Sequence, residues 1–333
     1  MDPLLGWPHD GPAFHAGERA AQARAGVQER MAQVGRRAVR GAMPDQHREL
    51  FEKLPFLLLG ALDREQRPWA AVLAGGAGFV RTPDARTLAI DARPLGERAA
   101  GLQLDPGAAV ALLGLEPATR RRNRANGRVA ADTGSGLVVQ VQQSFGNCPK
   151  YIQARGLERV RPAPAPAQAF SARLPDSARA LVHRADTFFV ATASDDAGQR
   201  GRHENGGVDV SHRGGKPGFV RVDEADGRSV LTAPDFVGNF FFNTLGNIAS
   251  NPRAGLLFID WADGDLLMLT GRAEAMWDGA ELHAFAGAQR LLRFTLDEGR
   301  RLPGAMPLRG VGVDYAPQLA GTGAWPASTD AAR

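Results

Sequence analysis

Short apolar runs separated by glycine, proline and aspartate turns follow one another along most of this 333-residue chain. LLLGALD at residues 57–63 and FVATASD at residues 189–195 are β-prone runs that each end at an aspartate opening a polar turn. GGAGFVR at residues 75–81 recurs as GGKPGFVR at residues 214–221, with one residue inserted. The pattern predicts short strands that occur twice in the same order.

The repeat continues through the rest of each copy. Three further pairs follow in order: TLAID at 87–91 with SVLTA at 229–233, AAVALLGL at 108–115 with AGLLFID at 254–260, and NGRVA at 126–130 with TGRAE at 270–274. The spacing between the copies drifts, which indicates insertions in loops. Short strands joined by tight turns favour small antiparallel barrels over a parallel sheet, which needs a crossover segment after every strand. We therefore predict two homologous β-rich units.

Two segments fall outside the repeat. RPAPAPAQAF at residues 161–170 has the composition of a polyproline-like linker. Residues 15–39 have the Ala, Glu, Gln and Arg content of a surface helix that leads into the first barrel. The predicted division of the chain is a helical extension at 1–42, a first barrel at 43–160, a linker at 161–175, a second barrel at 176–315 and a tail at 316–333.

Composition narrows the classes of function. No stretch reaches the roughly 18 apolar residues of a membrane span, and the N-terminus lacks the layout of a signal peptide, so we expect a cytoplasmic protein with no membrane partner. The single cysteine, Cys148, forms no internal disulfide and allows no metal site built on several thiolates, and we expect no metal ligands. The cluster TRRRNRANGR at residues 119–128 fits a solvated hairpin loop better than a nucleic-acid site at Arg120–Arg124, because no aromatic residues interleave to stack bases.

The order of these segments resembles the pyridoxamine 5′-phosphate oxidase-like proteins, whose fold is the FMN-binding split barrel. The second copy carries the more specific motifs, DVSHRGG at residues 209–215 and NTLGNI at residues 243–248, and is similar to the subfamily of flavin-nucleotide-binding proteins related to that oxidase. With the first copy included, the resemblance covers about residues 43–275. It implies a mainly β fold with flanking helices (α+β), in which tandem split barrels form an intrachain pseudo-dimer.

The resemblance places the FMN phosphate at NTLGNI, where the family carries a serine, an arginine and a lysine. Asn243 and Thr244 take those places here and can donate to a phosphate at the start of a short helix; helix capping is their alternative role. Asn243 and Thr244 lack the positive charge that the family's arginine and lysine place on the phosphate. We therefore predict that Arg213 and Lys216 supply this charge as further FMN contacts. An arginine beside two glycines is also typical of a solvated turn.

Three more residues of the second copy belong to the predicted site. Ser211 and Asn239 are predicted FMN contacts. His212 is the predicted catalytic proton donor near neutral pH, with a structural role on its strand as the alternative. Ser211 has no evident aspartate partner for a hydrolytic triad.

The first copy supplies the other half of the predicted site. The family has a Gln-Ser pair that reaches from one barrel to the flavin of the other, and Gln143 and Ser144 match that pair. The first copy lacks NTLGNI and the second lacks the Gln-Ser stretch, so we expect one complete site per chain. Lys150 is a predicted cofactor contact that would lower the pKa of the Cys148 thiol. Cys148 is a turn residue, a flavin or substrate contact, or a catalytic redox-active thiol.

Together these features predict an FMN-dependent oxidoreductase, either a flavin reductase or a pyridoxamine-phosphate-oxidase-like enzyme, that moves hydride between FMN and a small substrate. NADH or NADPH is the candidate reductant, and pairing of two chains as a homodimer is left open. The substrate-phosphate residues of true pyridoxamine-phosphate oxidases are not recognisable at the C-terminus. The alternative is a non-enzymatic flavin or haem carrier or sensor of the same fold, with His183, His203 and His212 as candidate haem ligands.

Overall fold

A computed structural model describes residues 4–198 and 205–326. Three helices precede the first sheet, namely α1 (Ala16–Arg24), α2 (Gln28–Ala38) and α3 (Asp45–Lys53). α1 begins at a capping box, in which the His15 side chain accepts a hydrogen bond from Gly17 N and Glu18 accepts one from His15 N. No helix in the described ranges is long and apolar enough to cross a membrane.

The first barrel is a seven-stranded antiparallel sheet whose strands pair in the order β2-β1-β5-β6-β7-β4-β3. The strands are β1 (Phe56–Leu62), β2 (Pro68–Ala74), β3 (Val80–Asp84), β4 (Thr87–Ile90), β5 (Ala109–Glu116), β6 (Arg121–Asp132) and β7 (Leu137–Gly146). A one-turn helix, α4 (Glu97–Ala100), lies between β4 and β5.

Two strands, β8 (Ala154–Arg159) and β9 (Gln168–Phe170), connect the sheets. The second sheet pairs in the order β11-β10-β14-β15-β16-β13-β12, with β9 added beside β16, and β17 pairs with β8. Its elements are α5 (Asp176–Arg184), β10 (Thr187–Ala193), β11 (Val208–Gly214), β12 (Arg221–Ala225), β13 (Arg228–Asp235), α6 (Asn243–Ser250), β14 (Arg253–Ile259), β15 (Leu266–Met276), α7 (Ala280–His283), β16 (Arg290–Leu302) and β17 (Leu308–Asp314).

The two sheets have the same topology, because each strand of the first has a counterpart at the same position in the second. Even an irregularity in pairing recurs: the register shifts between Asn126 and Gly127 on β6 and between Thr270 and Gly271 on β15. The predicted tandem split barrels are therefore confirmed. The shared shift also fixes which residues of the two copies are equivalent.

The barrels pack against each other through one continuous apolar core. Buried side chains from both, including Leu58, Trp69, Val210 and Met268, belong to the same cluster. The backbones approach closely as well, since a Cβ added to Gly255 would lie 2.4 Å from Pro68 O. This shared core makes the single chain an intrachain pseudo-dimer.

One expectation about local structure was wrong, and another was right only in part. The arginine cluster at residues 119–128 is not a solvated loop, because most of it forms β6 in the middle of the first sheet. The N-terminal region forms two helices, and α1 packs on α6 of the second barrel. Glycine allows this contact: a Cβ on Gly17 would lie 2.2 Å from Gly246 O.

Candidate functional site

A cleft lies where the two barrels meet, and both barrels contribute its walls. It holds about 820 Å³ of space, part of which is open to solvent. The first barrel supplies side chains from β6 and from the turn after β7; the second supplies side chains from β11, β16, the segment after β13 and the start of α6. The cationic side chains on its walls are Arg122, Arg124, Lys150, Arg213 and Arg290.

The first turn of α6 lines the cleft with hydrogen-bond donors. The helix begins at Asn243, after Phe242 in a left-handed conformation with φ of 61°. The first N–H groups of an α-helix have no acceptor within the helix and carry partial positive charge. Thr244 is 2% exposed, and its buried hydroxyl has no hydrogen-bond partner among the described residues. This turn therefore offers unused donors of the kind that a phosphate accepts.

Asn243 is held on both sides by buried ionisable residues. Its Oδ1 accepts a hydrogen bond from Arg124 Nη1 at 2.9 Å, and its Nδ2 donates to Glu18 Oε1 of α1. Arg124 is 3% exposed and also lies 2.5 Å from Asp209 Oδ1 and 2.8 Å from Ser211 Oγ. Because both ends of its amide are engaged, the Asn243 side chain fixes the start of α6 and leaves the free donors to its neighbours.

A single carboxylate, that of Asp235, is shared by two of the cleft arginines. Arg213 Nε lies 3.2 Å from Asp235 Oδ1, and Arg290 Nε donates to Asp235 Oδ2 at 2.9 Å. One negative charge thus faces two positive ones. The cleft carries a surplus of positive charge, as a site for an anion requires.

Arg122 adds to this surplus. Its Nε donates to the carbonyl oxygen of Cys148 at 2.8 Å, and it has no carboxylate partner within the described residues. Burial, followed by the nearby charges of Arg124 and Arg213, lowers the pKa of Arg122 to about 9. A bound anion would oppose both the burial and the repulsion, because it stabilises the charged guanidinium.

His212 is a buried residue of β11 that lines the cleft. Burial, followed by the charges of Arg122, Arg213 and Arg155, holds the pKa of its imidazole well below the ordinary value. The ring is therefore neutral at physiological pH and can donate one hydrogen bond but no readily released proton. This arrangement favours an orienting role for His212 over the predicted proton donor.

The turn after β7 brings Cys148, Lys150 and Tyr151 to the cleft. The Cys148 thiol is free and partly buried. Tyr151 has a left-handed backbone with φ of 62°, and its ring stacks on Phe236 of the second barrel with centroids 4.8 Å apart. The first barrel thus closes one side of the cleft through an aromatic contact beside the thiol and the ammonium.

The structure brings most of the predicted contacts together. Ser211, Arg213, Asn239 and Thr244 line the same cleft as Asn243. They meet residues of the first barrel there, as expected for a site that both copies build.

Three predicted contacts lie elsewhere. Gln143 is buried on β7 and borders a separate small pocket. Ser144 Oγ lies 2.8 Å from His47 Nδ1 in the interior, and Lys216 Nζ donates to Thr322 O at 2.9 Å. Gln143 and Ser144 do not reach the cleft because they still belong to β7, which continues to Gly146. Residues of the turn that follows β7 line the cleft instead.

The candidate haem ligands do not converge within the described residues. His212 lines the cleft, whereas His183 is exposed on α5 and does not line it. His203 lies outside the described residues.

The sequence prediction missed Arg122, Arg124, Arg290 and Tyr151. A comparison of the two copies carries a signal for the first two. Counted back from the shared register shift, Arg122 and Arg124 of β6 correspond to Leu266 and Met268 of β15. Arginines that replace core residues in only one of two copies indicate a role in that copy alone.

The same contrast holds on the facing strand. β1 pairs with β2 and β5 as β10 pairs with β11 and β14, so the registers match Asp209, Ser211, His212 and Arg213 to Trp69, Ala71, Val72 and Leu73. The polar residues of one inter-barrel site therefore have apolar counterparts in the other.

The counterpart of the cleft is filled. Gly96 caps α4, which corresponds to α6, and a Cβ on Gly96 would lie 2.6 Å from both Leu302 Cδ1 and Met268 Sδ. Apolar side chains thus occupy the space that donors surround at the cleft. This difference supports one polar site per chain.

The fold and the cleft define a tandem split-barrel protein with a polar site between its barrels. Residues 174–304 match the family model of pyridoxamine 5′-phosphate oxidase. This match lies within the second barrel and covers less than half of the chain, so it is the second barrel that is similar to this family. No curated protein matches the chain in sequence.

Solved structures that match part of the chain share little sequence with it and have low TM-scores. HupZ of Group A Streptococcus is 13% identical, with a TM-score of 0.30, over 40% of this chain and 98% of its own. A Clostridium acetobutylicum protein related to general stress protein 26 is 16% identical, with a TM-score of 0.25, over 42% and 92%. HutZ, the haem storage protein of Vibrio cholerae, is 13% identical, with a TM-score of 0.23, over 43% and 95%.

Proposed function

We propose that this protein binds FMN in the cleft between its barrels and is an FMN-dependent oxidoreductase. The observation that carries the proposal is the set of unused donors at the start of α6, where the buried Thr244 hydroxyl has no partner. The phosphate of FMN is a dianion whose oxygens accept hydrogen bonds of this kind. The similarity of residues 174–304 to the pyridoxamine 5′-phosphate oxidase family supports a flavin as the ligand.

The residues present fit this group. Thr244 and the first backbone amides of α6 would hold the phosphate, and Arg122 and Arg213 would balance its charge. The aromatic pair of Tyr151 and Phe236 gives the cleft an apolar wall for a ring system. The predicted contact Asn243 would act through Arg124 and Glu18, by keeping the first turn of α6 in place.

Bound FMN supplies the hydride chemistry, and the chain supplies binding, orientation and shielding. Neutral His212 would donate a hydrogen bond within the cleft. Cys148 and Lys150 lie on the turn that closes one side, where a small substrate or a reduced nicotinamide would enter. Lys150 would attract a negatively charged substrate to this entrance.

Two other functions use the same cleft. A flavin carrier or sensor would bind FMN without turnover. A haem carrier would depend on His212, the histidine of the three candidates that lines the cleft.

The visible absorption spectrum of the freshly purified protein tests the proposal. We expect a two-banded flavin spectrum and release of FMN on denaturation, identified by mass spectrometry. Steady-state oxidation of NADH or NADPH with an electron acceptor then separates an enzyme from a carrier. A Soret band would favour haem, and a colourless protein that takes up no added FMN would refute the proposal.

Arg122→Leu introduces the residue type that the second copy has at the equivalent position, Leu266. We expect FMN affinity to fall about 10- to 100-fold, since a hydrogen bond to a charged group contributes roughly 1.5–3 kcal/mol. Fluorescence quenching of FMN measures the affinity. Lys216→Ala is the matched control, because Lys216 lies outside the cleft, and it should bind like the wild type. An unchanged affinity in Arg122→Leu would place the phosphate elsewhere.

A further inference from the structure

The N-terminal helix α1 lies directly behind the start of α6. A Cβ on Gly17 would lie 2.2 Å from Gly246 O, and a Cβ on Gly246 would lie 2.5 Å from Glu18 N. Two glycines facing each other let the helices approach this closely. The approach places Glu18, a residue outside the family match at 174–304, against the first turn of α6.

Glu18 is a buried acid in this contact, 4% exposed. Its Oε1 accepts from Asn243 Nδ2, and its Oε2 accepts from His15 N at 2.8 Å. Burial raises the pKa of Glu18 to about 8, the charge of Asp209 adds to the rise, and Arg124 opposes it. The carboxyl is therefore mostly neutral at pH 7 and ionises as the solution becomes alkaline.

The charged groups around Glu18 come from three elements. His15 caps the N-terminus of α1, and its pKa is lowered by burial, so it stays neutral in the alkaline range. Asp209 of β11 and Arg124 of β6 form an ion pair with each other at 2.5 Å. Arg122, whose pKa is lowered to about 9 chiefly by burial, is another cleft group whose charge changes in the alkaline range. Glu18 is thus the carboxyl here whose charge changes near pH 8.

We propose that Glu18 is a positioning residue of the anion site, and that a phosphate bound at the start of α6 takes up one proton from solvent onto the Glu18 carboxylate. The inference rests on the proposed phosphate site. A neutral Glu18 holds the Asn243 amide, which in turn holds Arg124. An ionised Glu18 holds the same amide but places a negative charge behind the turn that receives the anion. Anion binding and ionisation of Glu18 therefore oppose each other.

Titration calorimetry with FMN and, separately, inorganic phosphate tests the coupling. In buffers of different ionisation enthalpy at about pH 8.5, the wild type should take up close to one proton per ligand. Its affinity should weaken about tenfold more than that of Glu18→Gln between about pH 7 and about pH 9, the slope expected for one proton. Arg122 is present in the wild type and in Glu18→Gln, so its change of charge cancels when the two pH dependences are compared. Glu29→Gln, a change of an exposed glutamate on α2, should retain the wild-type slope.

The outcomes separate this inference from the proposed function. If FMN binds but Glu18→Gln keeps the full pH slope, the role of Glu18 is refuted and the flavin site stands. If phosphate binds with more proton uptake by the wild type than by Glu18→Gln while FMN does not bind, the role of Glu18 stands and the flavin site is refuted. If neither ligand binds the wild type, both are overturned. Binding of phosphate without proton uptake by the wild type would refute the role of Glu18 without any variant, so the inference stays testable even if Glu18→Gln fails to fold.

Discussion

Arg124→Met is expected to lower the free energy of unfolding by about 3–5 kcal/mol, the cost of removing one partner from a buried ion pair. The Asp209 carboxylate is 3% exposed, and Arg124 lies 2.5 Å from it. Without the guanidinium, Asp209 retains a hydrogen bond from Ser211 Oγ at 3.0 Å, which does not replace a positive charge. Urea unfolding of the variant and the wild type measures the difference.

The double variant Arg124→Met with Asp209→Ala provides the control. It replaces both charged residues by apolar ones, since their counterparts Met268 and Trp69 in the other copy are also apolar, and replacing a whole buried ion pair by apolar residues is often close to neutral. We therefore expect it to regain most of the lost stability while failing to retain FMN. A double variant as unstable as Arg124→Met would show that the loss comes from packing and not from the stranded carboxylate.

Gly17→Ala is expected to destabilise the protein, although the same change in an ordinary helix stabilises it by up to about 1 kcal/mol. The new Cβ would lie 2.2 Å from Gly246 O, a backbone atom that moves only if α1 shifts away from α6. Overpacking of this kind costs about 1–3 kcal/mol. The shift would also hydrate Glu18, so the alkaline weakening of phosphate binding should diminish.

Thermal unfolding and hydrogen exchange across residues 16–24 measure these effects. Gly11→Ala is the control, because no atom lies within 4 Å of a Cβ built there. A Gly17→Ala protein as stable as the wild type, with unchanged exchange in α1, would contradict the close contact of the two helices.

The tandem barrels could be predicted because their signals are local and occur twice. Apolar runs such as LLLGALD at residues 57–63 and FVATASD at residues 189–195 form β1 and β10 in equivalent places. The start of α6 was predictable for the same reason, since NTLGNI at residues 243–248 combines small donors with a glycine. Strand periodicity and helix starts depend on neighbouring residues, which a sequence displays directly.

The burial of the arginines could not be read from their own segment. Arg124 sits in a run of charges typical of a solvated loop, and it is buried because Asp209, Ser211 and Asn243 of the other barrel receive its donors. Those partners are 85 or more positions away in the sequence. A contact of this range leaves no periodic pattern in the chain.

The contact between α1 and α6 could not be predicted either, because it too joins residues far apart in the sequence. Glu18 lies 225 positions before Asn243, and its segment resembles any charged surface helix. The Gln-Ser assignment depended on a distance counted along β7, and the structure places Ser144 beside His47 instead. The assignment of functions to the remaining cleft residues stays a prediction.

The filled counterpart of the cleft also has a mechanical consequence. Met268 and Leu302 pack onto Gly96 at one end of the boundary between the barrels, whereas charged side chains surround open space at the other. Separating the filled end would expose apolar surface to water, which costs roughly 25 cal/mol for each Å². We therefore expect any relative motion of the barrels to leave the apolar end closed and to open or narrow the end that holds the cleft. The apolar packing in one copy thus limits how the polar cleft between the two copies can move.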